Sequence, residues 1–503
     1  MSANLTDALP TVGDSLEAPG PVYIEKKDFD TVVDHLWLLI CAFIVFLMQA
    51  GFAMLEVGTV RSKNAKNLMI KNIMDLASGA FTWWAIGFPF AYGGGDYSGG
   101  PPNGFIGARG FFFIDNYQPC PSVDDPNELC LFPVSPQIDS YAGWLFQWAF
   151  AATATTIVSG AVAERCSFIG YLVYAVFITG FIYPVVVHWI WSPYGWLSAG
   201  WDPEVAVGAW VSPGVLDFAG SGVVHMTGGS ISIVAAYILG PRRGRFDATG
   251  KLVHMIPHNS AFVGLGTLLL WFGFFGFNSG STLALSEGVI LLAEKVAVGT
   301  TLAASGGGLC AILMCFLKEG FMDLPQLCNG ILAGLVAVCS GVSVAEPWAC
   351  WVIGFVAGAV EFWVAIGVQK MKIDDPLDAT AVHLGAGFFG LICGGLFGTR
   401  LNTDVAYSEE QGCGAFFPGC GGLQLGVNLL GGVMIMVWSM AMAAIVFGAL
   451  QLAGLLRITD EQEHHGLDVS YHGTGAYDNS MDGSGSVKTR GRLPLDQSIA
   501  EEE

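Results

Sequence analysis

Charge is what this sequence has least of. Only 13% of its 503 residues are Asp, Glu, Lys or Arg, about half the share found in ordinary soluble domains. Positive charge is the scarcer kind: 21 Lys and Arg stand against 42 Asp and Glu, for a formal net charge of −21. A chain so poor in cations is unsuited to the phosphate backbone of nucleic acid, which is excluded as a partner. A removable leader is also missing. The first apolar block begins near Leu36, behind a polar, acidic stretch, and is longer than the apolar core of a signal peptide. Neither a phosphate-binding loop nor a metal-ligand spacing among the 12 cysteines is present, and no nucleophile stands beside a base. Enzymes are therefore the least supported class, and no cofactor is expected.

Long apolar sequence is abundant. The chain is 53% hydrophobic, and its 68 glycines fall mostly inside the apolar blocks, which suits close helix packing in lipid better than flexible linkers. Eleven stretches have the length and character of membrane spans: 36–57, 73–92, 141–163, 168–191, 215–239, 260–277, 296–316, 327–342, 348–368, 379–397 and 425–456. The last is the longest, so it tilts or reaches beyond the bilayer. The expected fold class is an all-α polytopic membrane protein of eleven transmembrane helices, with lipid as its surroundings.

Lys and Arg placement orients these spans. Arg61, Lys63, Lys66 and Lys71 fill the first connection, Arg165 the third, and Arg242, Arg243, Arg245 and Lys251 the fifth. Lys318 marks the seventh, and Lys370 with Lys372 the ninth. The even connections hold little beyond Arg109, Lys295 and Arg400. The positive-inside rule then places odd connections in the cytoplasm, the N-terminus outside and the C-terminal tail inside, with Lys26 and Lys27 running against the pattern. Three segments follow: an extracellular stretch 1–33, a transmembrane domain 34–456, and a cytoplasmic regulatory tail 457–503 that is disordered from about Asp478 to its acidic end. Asn4-Leu5-Thr6 fits a glycosylation sequon on the outer side. Two cysteine pairs also fall outside, Cys120 with Cys130 and Cys413 with Cys420, and an oxidising compartment would permit disulfides among them. The other eight cysteines lie in or beside apolar spans and read as packing residues.

Ionisable groups inside a span are costly in lipid and point to function. The fifth span holds DFAGSGVVHMTGG, with Asp217 near its outer end and His225 near its middle. The tenth holds DPLDATAVHLGAG, with Asp378 at its inner end and His383 within it. Both are Asp-then-His on a small-residue helix, each in the fifth span of successive five-span halves. Five is odd, so the second half enters the membrane inverted, and helices 1–5 and 6–10 form an inverted repeat with its site at the midplane. Two imidazoles there can donate from one nitrogen and accept at the other without presenting a fixed charge. Aromatics form a second group: Phe150 ends LFQWAF, Trp191 ends HWIW, and Phe274, Phe277 and Ser281 lie in WFGFFGFNSGS. Aromatic faces attract small cations, and a hydroxyl accepts from a cationic N–H. By residue type alone, the same side chains would also serve as interfacial belt and core.

At these residues the sequence resembles the Amt/Mep/Rh family, on its plant and algal ammonium-transporter side. DFAGSGVVHMTGG with the following GPRRGR carries the resemblance, along with FAMLEVGTVRSKN, SGAVAER, WFGFFGFNSGS, DDPLDATAVHLGAG, WSPYGW and GLDVSYHGTGAY. It runs from about residue 33 to 478. The resemblance implies a homotrimer in the plasma membrane, active in nitrogen uptake, with one pore per subunit and ammonium or its analogue methylammonium as substrate. It implies that Phe150, Trp191 and Ser281 recruit the cation and that Phe150 and Phe277 form a phenyl gate. His225 and His383 would be the twin pore histidines, with Asp217 organising the recruitment region and Asp378 in a structural role. The tail would be regulatory, with Ser470 and Thr474 as hydroxyls open to a kinase. The alternative function is an ammonium sensor with reduced transport.

Overall fold

The computed structural model describes residues 26–94, 103–113, 140–199, 211–407 and 411–477. Asn4, Cys120, Cys130 and the acidic end of the chain lie outside these. Among the described residues the fold is helical, with no named strand and three isolated β-bridges. Ten helices are long and apolar enough to cross a membrane: α1 within Lys26–Thr59, α3 Tyr141–Val162, α4 Phe168–Trp191, α5 Ser221–Leu239, α6 Ser260–Gly280, α7 Ile290–Glu319, α8 Leu324–Gly341, α9 Pro347–Lys370, α10 Thr380–Phe397 and α11 Leu423–Leu452. The expected second span, here α2, is helical too. It runs from Ala65–Thr82 through a π-helical turn, Trp83–Gly87, into Phe88–Tyr92. It is more polar than the others, because it carries Lys71 and Asp75, both buried inside the protein.

Short polar side chains start these helices. Ser140 accepts from Gly143 N at 2.9 Å to open α3, Ser167 from Gly170 N at 2.9 Å to open α4, and Asp323 from Gln326 N at 3.2 Å to open α8, each satisfying a backbone donor that has no partner within its helix. α3 and α5 are almost wholly enclosed, whereas α11 shows most of its surface outward. Phe43, Leu268, Leu309 and Ile445 are large apolar side chains on the outer surface, as expected of a fold whose solvent is lipid. Glycine permits the tightest crossings. A Cβ on Gly307 of α7 would meet the Gly330 carbonyl of α8, and one on Gly354 of α9 would meet the Ala303 carbonyl of α7, so these backbones pack at distances that side chains would forbid.

Charges gather on one face, the face of the tail. Arg165 is fully buried and donates to the carbonyls of Ala161 at 2.9 Å, Gly240 at 2.9 Å and Asp374 at 2.5 Å. Arg242 grips Asp374 with Nε to Oδ2 at 2.8 Å and Nη2 to Oδ1 at 3.0 Å, and reaches Glu164 at 2.9 Å. Burial by itself would raise the Asp374 carboxyl, but the hydrogen bonds and charge of Arg242, with the charge of Arg165, hold it well below the usual range. Arg61 also pairs with Glu164. The tail docks on this plate. Lys63 Nζ donates to the carbonyls of Glu463 at 2.8 Å and His464 at 2.7 Å. Asp468 is buried and accepts from the backbone N–H groups of Lys66 at 3.1 Å and Asn67 at 2.8 Å, at the start of α2.

Candidate functional site

α5 and α10 both begin as π-helical stretches, Ser221–Met226 and Thr380–Gly385, a widened turn frequently found at functional sites. His225 and His383 lie in these turns, enclosed by the bundle. Their rings are near-parallel, with centroids 5.2 Å apart and Nδ1 to Nδ1 at 3.2 Å. One Nδ1 donates and the other accepts. A neutral accepting ring then carries its own proton on Nε2, while the donating ring leaves its Nε2 as an acceptor. Two neutral imidazoles so paired offer one donor and one acceptor to whatever passes beside them.

Each turn is capped by a carboxylate. Asp217 Oδ2 accepts from Gly222 N at 3.0 Å and Val223 N at 2.8 Å; Asp375 Oδ2 accepts from Thr380 N at 2.7 Å. Each cap stands eight residues before its histidine. The partner of Asp217 by position is thus Asp375, not the Asp378 that the sequence pairing suggested. Asp378 adopts a left-handed backbone, with φ of 52°, accepts from Asn329 Nδ2 at 3.4 Å and lines a cavity on the tail side. The fifth span also begins later than expected, because 215–220 is non-helical backbone that carries the cap.

On the face away from the tail, Phe150 and Phe277 stack over the histidines, their centroids 3.9 Å apart and planes 13° from parallel. Phe277 and Phe274 lie 5.5 Å and 5.6 Å from the His225 ring. Above the stack is a cavity of about 90 Å³ lined by Phe150, Trp191 and Ser281 together with Tyr92, Gln147 and Phe218. It adjoins a vestibule of about 500 Å³, lined in part by Asp217, Trp191 and Ser281. Trp191 is fixed edge-on to Phe150, at 5.8 Å, and by donation from Nε1 to the Asp217 carbonyl at 2.7 Å. Ser281 Oγ donates to the Phe277 carbonyl at 2.8 Å, which leaves its lone pairs as acceptors. Gln147 Oε1 is buried and has no hydrogen-bond partner among the described residues. Below the histidines lie a chamber of about 20 Å³ and then a tail-side cavity of about 210 Å³.

Of the residues expected at the site, Asp217, Trp191, Ser281, Phe150, Phe277, His225 and His383 are brought together from vestibule and aromatic cavity through the phenyl stack to the histidine pair and chamber, whereas Asp378 lines the tail-side cavity. Sequence reasoning missed Gln147, Phe218 and Asp375. Gln147 was visible as the polar residue within LFQWAF, and Asp375 through its eight-residue spacing. Cys413 and Cys420 form a disulfide, and among the described residues eight cysteines are free and buried. Ser470 Oγ donates to the Gly466 carbonyl at 2.8 Å, and Thr474 receives Lys66 Nζ at its hydroxyl, 2.6 Å, and its carbonyl, 2.9 Å.

A family model described as the Ammonium Transporter Family matches residues 36–477. Ammonium transporter 1 member 3 of Solanum lycopersicum is 41% identical over 469 residues, 90% of this chain and 94% of that protein. Ammonium transporter Amt2 of Archaeoglobus fulgidus is 37% identical over 470 residues, covering 93% and 92%. Among solved structures, a Sensor Amt Protein aligns with a TM-score of 0.74 at 30% identity, over 88% of this chain and 99% of that one. Candida albicans Mep2 aligns with a TM-score of 0.72 at 26% identity, over 86% and 87%.

Proposed function

This chain belongs to the Ammonium Transporter Family, and on that premise we propose that it recruits NH4+ at the aromatic cavity, deprotonates it and passes ammonia beside the twin histidines. The observation that carries this reading is the face-to-face stack of Phe150 on Phe277 between the cavity and the histidine pair. Rings at van der Waals distance give a hydrated ion no passage, and K+ stripped of water finds no replacement ligands among phenyl groups and neutral imidazoles. Ammonium differs from K+ in that it can shed a proton and continue as a small neutral molecule. The cavity suits the charged form: the face of Trp191 offers a cation–π contact, and Ser281 Oγ and Gln147 Oε1 accept N–H bonds. Asp217 supplies negative charge to the vestibule. Past the rings, the pair of imidazoles offers ammonia a donor and an acceptor.

The same reading places the cavity outside and the tail in the cytoplasm, in a homotrimer of the plasma membrane whose helices 1–5 and 6–10 form an inverted repeat. The tail from Arg457 to Tyr477 is regulatory, and phosphorylation of Ser470 or Thr474 by a kinase would undock it. A sensing role with reduced transport is a second reading, favoured by the docking of the tail on the start of α2. Flux and current recording in proteoliposomes with ammonium, methylammonium and potassium tests the proposal. His225→Ala and His383→Ala are expected to assemble but to conduct poorly or lose selectivity against potassium. Full, selective ammonium flux in both variants would refute the pore assignment.

A further inference from the structure

Glu56, near the tail-side end of α1, lines the chamber below the histidines, where no role has been given to it. It is 1% exposed. Its Oε2 accepts from Asn72 Nδ2 and from Ser159 Oγ, both at 2.9 Å, while Oε1 is buried with no hydrogen-bond partner among the described residues. A carboxylate kept only for packing would have its lone pairs filled, because buried polar atoms almost always are. Lys71 faces it from α2, but the Lys71 ammonium donates to the Cys166 carbonyl at 2.7 Å, and among the described residues the two form no ion pair.

Glu56 and His383 line the same chamber, below the histidine pair. Its volume of about 20 Å³ admits one molecule of the size of water, or ammonia. Thr156 and Asn329 add polar wall, and Phe52 and Leu332 the apolar part. Thr156 Oγ1 lies 3.2 Å from Asp75 Oδ2, so a second buried carboxyl stands one hydroxyl behind the chamber. Leu55, Asn329 and Leu377 are shared with the wider tail-side cavity, which gives the chamber an exit.

We infer that Glu56 is a proton-exchanging carboxyl of this pore, which returns a proton to ammonia after it has passed His383. The inference rests on the ammonia-conducting reading given above. In this step ammonia enters the chamber, its nitrogen takes the proton of the Glu56 carboxyl, and an N–H bond forms as the O–H bond breaks. Ammonium leaves to the tail-side cavity, and a carboxylate remains. The proton that ammonium gave up is taken by His225, passes to His383 across their Nδ1–Nδ1 hydrogen bond and goes on to the Glu56 carboxylate, which restores the carboxyl. One ammonium enters and one leaves, with no other reactant.

The test uses the full chain in proteoliposomes under an ammonium gradient, recording current and internal pH. In Glu56→Gln, which keeps shape and loses the exchangeable proton, ammonium-driven current is expected to fall about 100-fold, the low end of what a positioned proton-transfer group contributes. The half-saturation concentration, set in the far cavity, should not move, and Glu56→Asp should restore current. A Glu56→Gln protein that carries the unaltered current overturns the proposal. Should Glu56→Gln not fold, infrared difference spectra of the unaltered chain and Glu56→Asp decide instead. Ammonium should change a carboxyl band whose position differs between the two, and the absence of any such band overturns the proposal. His225→Ala and His383→Ala recorded in parallel separate the two failures. If they lose flux while Glu56→Gln does not, only the role of Glu56 is wrong; if they keep selective flux, the pore reading itself is.

Discussion

Replacing Asp217 by Asn separates two things that its carboxylate does. Oδ2 takes two backbone N–H groups at the head of α5. Bonds to a charged acceptor are worth about 1.5–3 kcal/mol against about 0.5–1.5 for a neutral one. The amide oxygen of Asn can turn to the same two donors, so the fold survives at a loss of about 2–3 kcal/mol. The second effect is on the cation. Trp191 is bonded to the Asp217 main chain, and a separation of about 8 Å between the carboxylate and a cation on the Trp191 face sets the scale of the attraction. At that distance, with an effective dielectric near 20, the attraction is about 2 kcal/mol, or about 30-fold in half-saturation. Asp375→Asn is the control. It removes the charge from the equivalent cap on α10, where one backbone bond is made, and should lose about half as much stability. Asp375 does not line the vestibule, so its half-saturation should stay put. Thermal unfolding of the purified proteins and methylammonium uptake read the two effects separately. If Asp217→Asn leaves half-saturation unchanged, or if Asp375→Asn moves it equally, the carboxylate is only a cap and the electrostatic argument fails.

Loss of the Trp191 indole or the Ser281 hydroxyl should raise half-saturation several-fold at unchanged protein abundance, since a cation–π contact is worth about 0.5–2 kcal/mol; unchanged values in both variants would return Trp191 to the interfacial belt. Peptide mapping of unreduced protein should recover Cys413 joined to Cys420, and Cys413→Ser should lower stability by about 2–3 kcal/mol for so short a loop; free thiols at both positions would contradict the assignment. Ser470→Asp should release the tail and close all three pores of a trimer even when only some subunits carry it, with Ser470→Ala active; activity that falls only in proportion to the altered subunits would rule out coupling between pores.

The helices were legible because lipid demands long apolar runs; their edges moved where polar chain continues a helix past the bilayer, as in α1 and α7, and where non-helical backbone carries a cap, as in 215–220 before α5. α2 was found only from residue 73 onward: Lys66 and Lys71, read as part of the first connection, lie on the helix that begins at Ala65. The histidines, the phenyl pair and Trp191 were legible as costly or unusual groups within spans. What stayed hidden depended on backbone geometry. Asp378 is the acid nearer to His383 and stands directly before the helix, yet its left-handed backbone, φ 52°, goes with a side chain that accepts from Asn329, and Thr380 N is taken by Asp375 instead. Gln147 and Phe218 reach the cavity because of how α3 and the non-helical segment before α5 turn, which no apolar periodicity records.

The charge plate beneath the histidine chamber joins the tail by a continuous run of contacts to the turn that carries His383. Glu463 of the tail accepts from Arg457 at 2.9 Å and from Arg243 N at 2.7 Å. It lies 4.0 Å from Arg61, whose other partner is Glu164. Glu164 shares Arg242 with Asp374, and the next residue, Asp375, caps the turn that carries His383. Every link is a buried or half-buried hydrogen bond or ion pair, where removing one partner strands the other and costs several kcal/mol. A tail that leaves the plate would therefore not leave it unchanged: Arg61, Arg243 and Arg457 would each lose an acceptor in Glu463 at once. Contact alone does not establish coupling. Here the chain of contacts ends on the carboxylate that caps the π-helical turn carrying His383, a widened turn of the kind frequently found at functional sites.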